Sequence, residues 1–449
     1  MKTLFILILF VVMLMIIISK DTKRLVWLMA GIFFLNDTIS IQPFNSYTLL
    51  LTAAFCSFAL HGELKRTWKE FPFKWVLLVI LVIHILVVQF DERYFPPLTY
   101  MSRIFNNFVP RFLALFVGYA IITSTNVWRK SAKHLAWIFL IMCIYGFITF
   151  ALQGNPYDDM LHMAFGGEEG IWANVQERGY RVFSTLNNPI VYGYVMFLAA
   201  SYLYLQKKVL SKNVYYALLL LTVLNAFLAN SRTGLVAGAL LTAIYALIEY
   251  RFSVRILGFA ASIVIVTLVL YQFVPFVQNA ADSVLDIVFT GGENTSGSNV
   301  ELKENQWETS LLFFYLHPYF GNGFNYFHET ISQQYDTAEI GLFGLEGYEY
   351  KLLVEEGLFM IIAVIWLFVS LIVFFFKRLE VKRFSSMGIA WIISFLFFIN
   401  GTGTYGGIFT IGMLFIGMLL KYVQIENPRV INKKNKHRAL LKESVTHAK

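Results

Sequence analysis

The apolar positions of this chain fall in blocks rather than in alternation or in a one-sided helical stripe. Thirteen blocks stand out, at residues 3–19, 25–36, 44–60, 75–90, 109–124, 135–152, 190–205, 215–229, 235–250, 256–273, 358–376, 387–400 and 408–423. Most approach the roughly 20 apolar residues that cross a bilayer, so the pattern predicts an all-α polytopic membrane protein with about 12–13 transmembrane helices. Polar stretches between blocks are short, with two exceptions. The predicted layout is N-terminal helices over 1–152, a first large loop over 153–189 and central helices over 190–273. A second large loop over 274–357, C-terminal helices over 358–423 and a basic tail over 424–449 complete it. The block at 3–19 has a signal peptide's length but no small-residue cleavage site, and Lys20, Lys23 and Arg24 follow it rather than precede it, so it reads as a retained helix.

Composition agrees with the blocks. Of the 449 residues 57% are hydrophobic and 14% charged, against about 25% charged in soluble domains. That excludes a cytosolic enzyme, a disordered chain, a coiled coil and a disulfide scaffold. Cys56 and Cys143 both lie in apolar blocks, where cysteine behaves as a small hydrophobe.

Charge adds sidedness. Strict alternation of the helices puts loops 20–24, 61–74, 125–134, 206–214, 251–255 and 377–386, with the tail from Lys421, on one side; these hold 27 of the 36 Lys and Arg, and the other side holds 9. The 28 acids divide the opposite way, 7 and 21, which gives +20 on one side and −12 on the other. The positive-inside rule makes the first side cytoplasmic, and the overall +8 anchors that face to anionic lipid rather than to nucleic acid. The short cytoplasmic loops contain no nucleotide-binding glycine loop and no soluble domain, so chemistry falls to the outer loops and outer helix ends.

The nine outer cations are Lys2, Arg93, Arg103, Arg111, Arg178, Arg181, Arg232, Lys303 and Lys351, six of them Arg, whereas the inner side has nine Arg against eighteen Lys. Arginine offers a planar fork that grips phosphate bidentately and keeps its charge, so this set points to an anionic ligand such as a phosphate or pyrophosphate. Arg93 and Arg103 are expected to pair with neighbouring acids instead. Arg232 lies in a tight polar hinge, Asn230-Ser231-Arg232-Thr233-Gly234; snorkelling to the interface is the alternative reading. Arg181 leads into Asn187-Asn188-Pro189 and the helix after it, whose free N–H groups suit an anion; a simple capped helix is the alternative. Within 303–316, Trp307, Leu311, Leu312 and Tyr315 share one helical face, predicting a helix along the membrane surface that ends at His317-Pro318 and a glycine turn. Glu346, Glu349, Glu355 and Glu356 precede the block at 358, where acids complement a helix dipole. Asp158-Asp159, Glu168-Glu169 and the outer histidines show no metal-site spacing, so no metal or other cofactor is expected. His84 lies in mid-membrane and is expected to bond a backbone carbonyl.

Four pieces in order resemble the O-antigen polymerase and O-antigen ligase superfamily of bacterial surface polysaccharide. They are Arg181 with the Asn188-Pro189 helix entry, the hinge at 230–234, Trp307 with His317-Pro318 and Gly321-x-Gly323-Phe324, and Glu346 through Leu353 to Glu355-x-Gly357-Leu358. The resemblance spans roughly residues 175–420. It implies a GT-C-like, metal-independent, inverting glycosyltransferase in the bacterial inner membrane, acting on the outer leaflet. Its substrates would be undecaprenyl-pyrophosphate-linked oligosaccharides, donor and acceptor, with a chain-length regulator and a flippase as further partners. Arg181 and Arg232 then stabilise the departing pyrophosphate, and Arg178, Lys303, Asn187, Asn188, Ser231, His317 and Lys351 bind pyrophosphate or glycan. Ligases carry a histidine where this chain has Glu346, and polymerases often a glutamate, so the resemblance favours a polymerase with Glu346 as general base; Glu349 or Glu355 are alternatives. Lys303 replaces a common arginine and lacks its fork. A ligase acting on finished chains and a lipid-linked-glycan flippase are the competing functions. The outer-end arginines disfavour a transporter, whose charges line a midplane cavity.

Overall fold

The computed structural model describes residues 1–166, 174–175, 179–250, 300–336, 346–403 and 407–426. Its principal helices are α1 (Lys2–Ile18), α2 (Asp21–Phe34), α3 (Ser46–Leu60), α4 (Leu64–Glu70), α5 (Lys74–Gln89), α6 (Pro97–Ile121), α7 (Thr125–Leu152) and α8 (Pro156–Phe165). They continue with α9 (Pro189–Leu205), α10 (Lys212–Leu228), α11 (Arg232–Tyr250), α12 (Val300–Leu316), α13 (Tyr348–Phe376), α14 (Lys382–Thr402) and α15 (Ile408–Glu426). Each predicted block on described residues coincides with a helix; the block at 256–273 lies outside them. Two antiparallel pairs of two-residue strands, Ser40–Ile41 with Phe44–Asn45 and Asn174–Val175 with Gly179–Tyr180, are the only strands among the described residues. The protein is an all-α polytopic membrane protein.

Length and composition qualify six helices as full spans among the described residues, α6, α7, α11, α13, α15 and the stretch Leu379–Thr402, and a seventh if α3 and α4, bent by 105°, count as one. That is fewer than the predicted twelve to thirteen. The apolar helices α1, α5, α9 and α10 have 16 or 17 residues, and at 1.5 Å per residue they reach only about 24–26 Å. Three of them still turn apolar side chains outward, among them Leu4, Leu7, Phe10 and Leu14 of α1, Val82 of α5 and Leu220 of α10, whereas α9 has no exposed residue.

Two helices are turned inside out relative to a soluble protein. The fifth block predicts a helix from 109, yet α6 begins twelve residues earlier. Its first half buries Ser102, Arg103 and Asn107 and exposes Leu98, Met101 and Phe105, a polar-in, apolar-out pattern that a search for apolar blocks passes over. α12 does the same: Gln306 and Ser310 are fully buried while Trp307, Leu312 and Tyr315 are exposed, as suits a helix on a lipid surface.

Glycines permit the closest packing. α6 crosses α15 where a side chain at Gly118 would collide with the Leu414 backbone and one at Gly417 with that of Leu115, the small-residue contact favoured between membrane helices. The polar contacts sort by the predicted alternation. At the lysine-rich end Arg24 pairs with Glu63 at 2.8 Å and Lys421 with Glu70 at 2.7 Å, while Arg383 donates to the Tyr204 carbonyl. At the acidic end the Asn155 amide donates to the Ser184 carbonyl at 2.7 Å and the Thr185 hydroxyl to that of Phe33 at 2.7 Å. In the membrane, His84 Nδ1 lies 2.8 Å from the Ile80 carbonyl, as expected.

Candidate functional site at the acidic end

The strap 181–188 and the hinge 230–234 meet at the start of α9. The Val182 amide donates to the Leu228 carbonyl at 3.1 Å. Asn188 caps α9, its side-chain oxygen accepting from the amides of Ile190 and Val191 at 2.8 and 3.3 Å. Asn230 turns the chain in the left-handed region at φ 46°, and Ser231 then caps α11 by accepting from the Gly234 amide at 3.1 Å. Gly234 and Gly193 keep hinge and α9 in close contact. Arg232 is thus the first residue of α11 and half-buried, and Arg181 is 4% exposed. Both engage other groups of the protein. Arg178 lies outside the described residues.

Lys303 and Glu346 are brought together. The Lys303 ammonium donates to the Glu346 carbonyl oxygen and lies 3.9 Å from its carboxylate. It sits 5.4 Å from the centre of the Tyr350 ring, whose hydroxyl donates to the Lys303 carbonyl at 3.1 Å. Burial lowers the Lys303 pKa, opposed by Glu346 and Glu349. Glu346 itself, 27% exposed in its side chain, precedes the Gly347 cap of α13. It therefore stands ahead of the helix, as predicted.

Glu355 and Glu356 do not. α13 runs unbroken from Tyr348, and a π-helical turn at Leu352–Glu356 points both acids into the protein. Glu356 pairs with Arg111, and Glu355 lies 3.6 Å from Lys351. Their role as exposed dipole complements is thereby replaced by that of buried counter-ions. The glycine motif explains how the turn is held. Pro318 and Tyr319 accept from the amides of Leu358 and Phe359, and the amides of Asn322 and Gly323 donate to Val354 and Glu355. Gly321, Gly323 and Gly357 all have positive φ, and a side chain at Gly357 would meet the Phe320 backbone at 2.7 Å. His317, at the start of this strap, is 3.7 Å from Glu92.

Three π-helical turns occur among the described residues, and each carries charge that closes an ion pair. Pro110 interrupts α6 at Val109–Leu113, where its missing N–H breaks the ladder, and the following residue is Arg111. The Pro110 carbonyl accepts from the Thr410 hydroxyl at 2.9 Å. Arg111 also donates to the Asn107 side chain. The third turn, Phe327–Ile331, presents Glu329 to Arg103 at 2.5 Å and to Arg93 at 3.3 Å. Arg93 also pairs with Asp91 at 2.7 Å, as expected.

Next to these pairs lies a polar cavity of about 370 Å³, whose wall includes Asp37, Tyr47, Asn106, Arg111, Lys351 and Phe409. Phe409 also packs on Tyr348 with ring centres 5.1 Å apart, so the cavity adjoins the start of α13. The Asn187 amide reaches it by donating to Asp37 at 2.5 Å. Burial raises the Asp37 pKa to about 6, against a backbone hydrogen bond and the one from Asn187. Sequence reasoning passed over Asp37, since a lone acid in a short loop belongs to no motif. On the far side of α6 an apolar cavity of about 710 Å³ lies among α3, α5 and α6, lined by Phe55, Leu78, Leu81, Phe105 and Phe108.

With that geometry in view, the comparison with known families bears on one stretch. Residues 217–346 match the O-antigen ligase family. No curated protein matches the chain. The matched stretch covers 130 of 449 residues and includes Arg232, Lys303, His317 and, as its last residue, Glu346. It supports the O-antigen polymerase and ligase superfamily and a glycosyltransferase-like function in O-antigen assembly, with lipid-linked glycan substrates in a membrane. Polymerase and ligase are equally consistent with it.

Proposed function

We propose that the protein is a repeat-unit polymerase of a surface polysaccharide. The glycan leaves undecaprenyl pyrophosphate on the outer leaflet and joins a hydroxyl of a second lipid-linked unit. The bond from the anomeric carbon to the pyrophosphate oxygen breaks as the glycosidic bond forms, with inversion. The hydroxyl proton passes to the Glu346 carboxylate, and the pyrophosphate leaves against Arg181 and Arg232, whose fixed charge stabilises it. The observation carrying this reading is Glu346 beside Lys303 at the end of the matched stretch: a carboxylate stands where ligases of the resembled superfamily carry histidine. A second reading follows the description of the matched family, transfer of finished chains to lipid A-core or another acceptor.

Purified protein given lipid-linked repeat units separates these. A polymerase yields a ladder of chain lengths still on lipid pyrophosphate, and a ligase yields none without its acceptor. Glu346→Gln is expected to lower the rate by about 10²–10⁴-fold while substrate still binds. Full activity in that variant, with loss in Glu349→Gln, moves the base to Glu349.

A further inference from the structure

The polar cavity has a charge pattern that distinguishes it from a phosphate site. Its wall holds three cations, and each is already neutralised: Arg103 by Glu329, Arg111 by Glu356 and Lys351 by Glu355. Asp37 enters no ion pair among the described residues; it accepts the Asn187 amide on one oxygen and a backbone hydrogen bond. The Tyr47 side chain is 1% exposed, yet its hydroxyl has no hydrogen-bond partner among the described residues. Its ring rests against Gly407, where any side chain would collide with it. The neutral part of the wall is largely amide and hydroxyl, with the Phe409 ring beside it. An anion would meet an unpaired carboxylate here. A neutral ligand rich in hydroxyls would instead give Asp37 donors to accept from and Tyr47 an acceptor to donate to. The volume is at the small end of the roughly 300–1,000 Å³ of small-ligand sites.

We infer that this cavity is a sugar subsite for the acceptor glycan, in which Asp37 accepts hydrogen bonds from sugar hydroxyls and Tyr47 donates to another sugar oxygen. The inference rests on the glycan-transfer reading for its substrate class, but its binding test does not require turnover. The charged groups facing Asp37 across the cavity are Arg103, Arg111, Glu329 and Lys351, with Tyr47 beside them. Asp37 and Tyr47 act by positioning the acceptor; the proton still leaves to Glu346.

The probe is the free oligosaccharide released from the host's lipid-linked repeat units, titrated onto full-length protein in nanodiscs, with acceptor KM measured in parallel. Tyr47→Phe removes a hydroxyl that no described residue holds, so folding should be unchanged. Binding should weaken about two- to tenfold, as for one neutral hydrogen bond. Asp37→Asn keeps an oxygen for Asn187, and should weaken binding about ten- to a hundredfold. Affinity of the parent should fall as the pH drops through about 6, where Asp37 is neutralised, and that step should be absent from Asp37→Asn. Parent-like binding and KM in both variants, no binding by the parent, or a loss confined to kcat would each overturn the subsite. A parent that binds the oligosaccharide but transfers nothing would overturn the polymerase and leave the subsite standing.

Discussion

The guanidinium groups of Arg93, Arg103 and Arg111 close on carboxylates of their own chain. If the fork of Arg232 grips pyrophosphate, Arg232→Lys should polymerise poorly although it keeps the charge, and Arg232→Ala should abolish extension with protein still in the membrane; the same holds for Arg181. Parent-like chain extension by Arg232→Lys would reduce the arginine to a positional charge. At this scale the sequence was unevenly legible. Asp91 and Arg93 are two residues apart, so their pairing could be read directly, and His84 had little choice but a backbone carbonyl within its own helix. Glu356, which pairs with Arg111, and Glu329, which pairs with Arg103, lie 245 and 226 residues away, beyond the reach of local spacing, although Arg103 also lies 3.9 Å from the nearby Asp91, as expected. Asp37 acquires its character from burial, and its side-chain partner Asn187 lies 150 residues on.

At the scale of elements, the blocks of apolar residues gave the helices because hydrophobicity all round a helix is what lipid requires. They missed the first half of α6 because its polar face turns inward, and they placed Glu355 and Glu356 before a helix that in fact contains them. Propensity offers no sign of a π-helical turn, which exists here through Pro110 in one case and through the glycine strap over Leu352–Glu356 in another. The strap is sensitive to single atoms. Gly357→Ala, at φ 74° and facing the Phe320 backbone, should lower the thermal aggregation midpoint in detergent and remove activity. Arg111→Ala leaves Glu356 buried and unpaired, a loss of about 3–5 kcal/mol, so little folded protein should be recovered. Arg111→Met with Glu356→Met removes both charges and should regain much of the midpoint; no recovery in the double variant would show that the pair does more than neutralise itself.

For the whole molecule, the two charged ends are the most testable feature. Cysteines placed near Gly167 and Thr295, in a background lacking Cys56 and Cys143, should react with a membrane-impermeant thiol reagent in intact cells with permeable outer layers. Those near Lys208 and Lys436 should not; the reverse pattern would invert the protein and overturn the proposed outer-leaflet chemistry. The Arg111–Glu356 pair has a further consequence, in time rather than in space. Its halves are 245 residues apart, so at about 5–20 residues per second of synthesis the arginine waits roughly 12–50 s for its partner. During that wait its companion is Asn107, one turn back on the same helix. A buried arginine without its carboxylate partner is costly in a membrane helix, so the nascent chain holds a frustrated α6 until α13 arrives. Chains cut short before Glu356 never escape that state, and the membrane's quality-control proteases meet them with an unneutralised charge still on display.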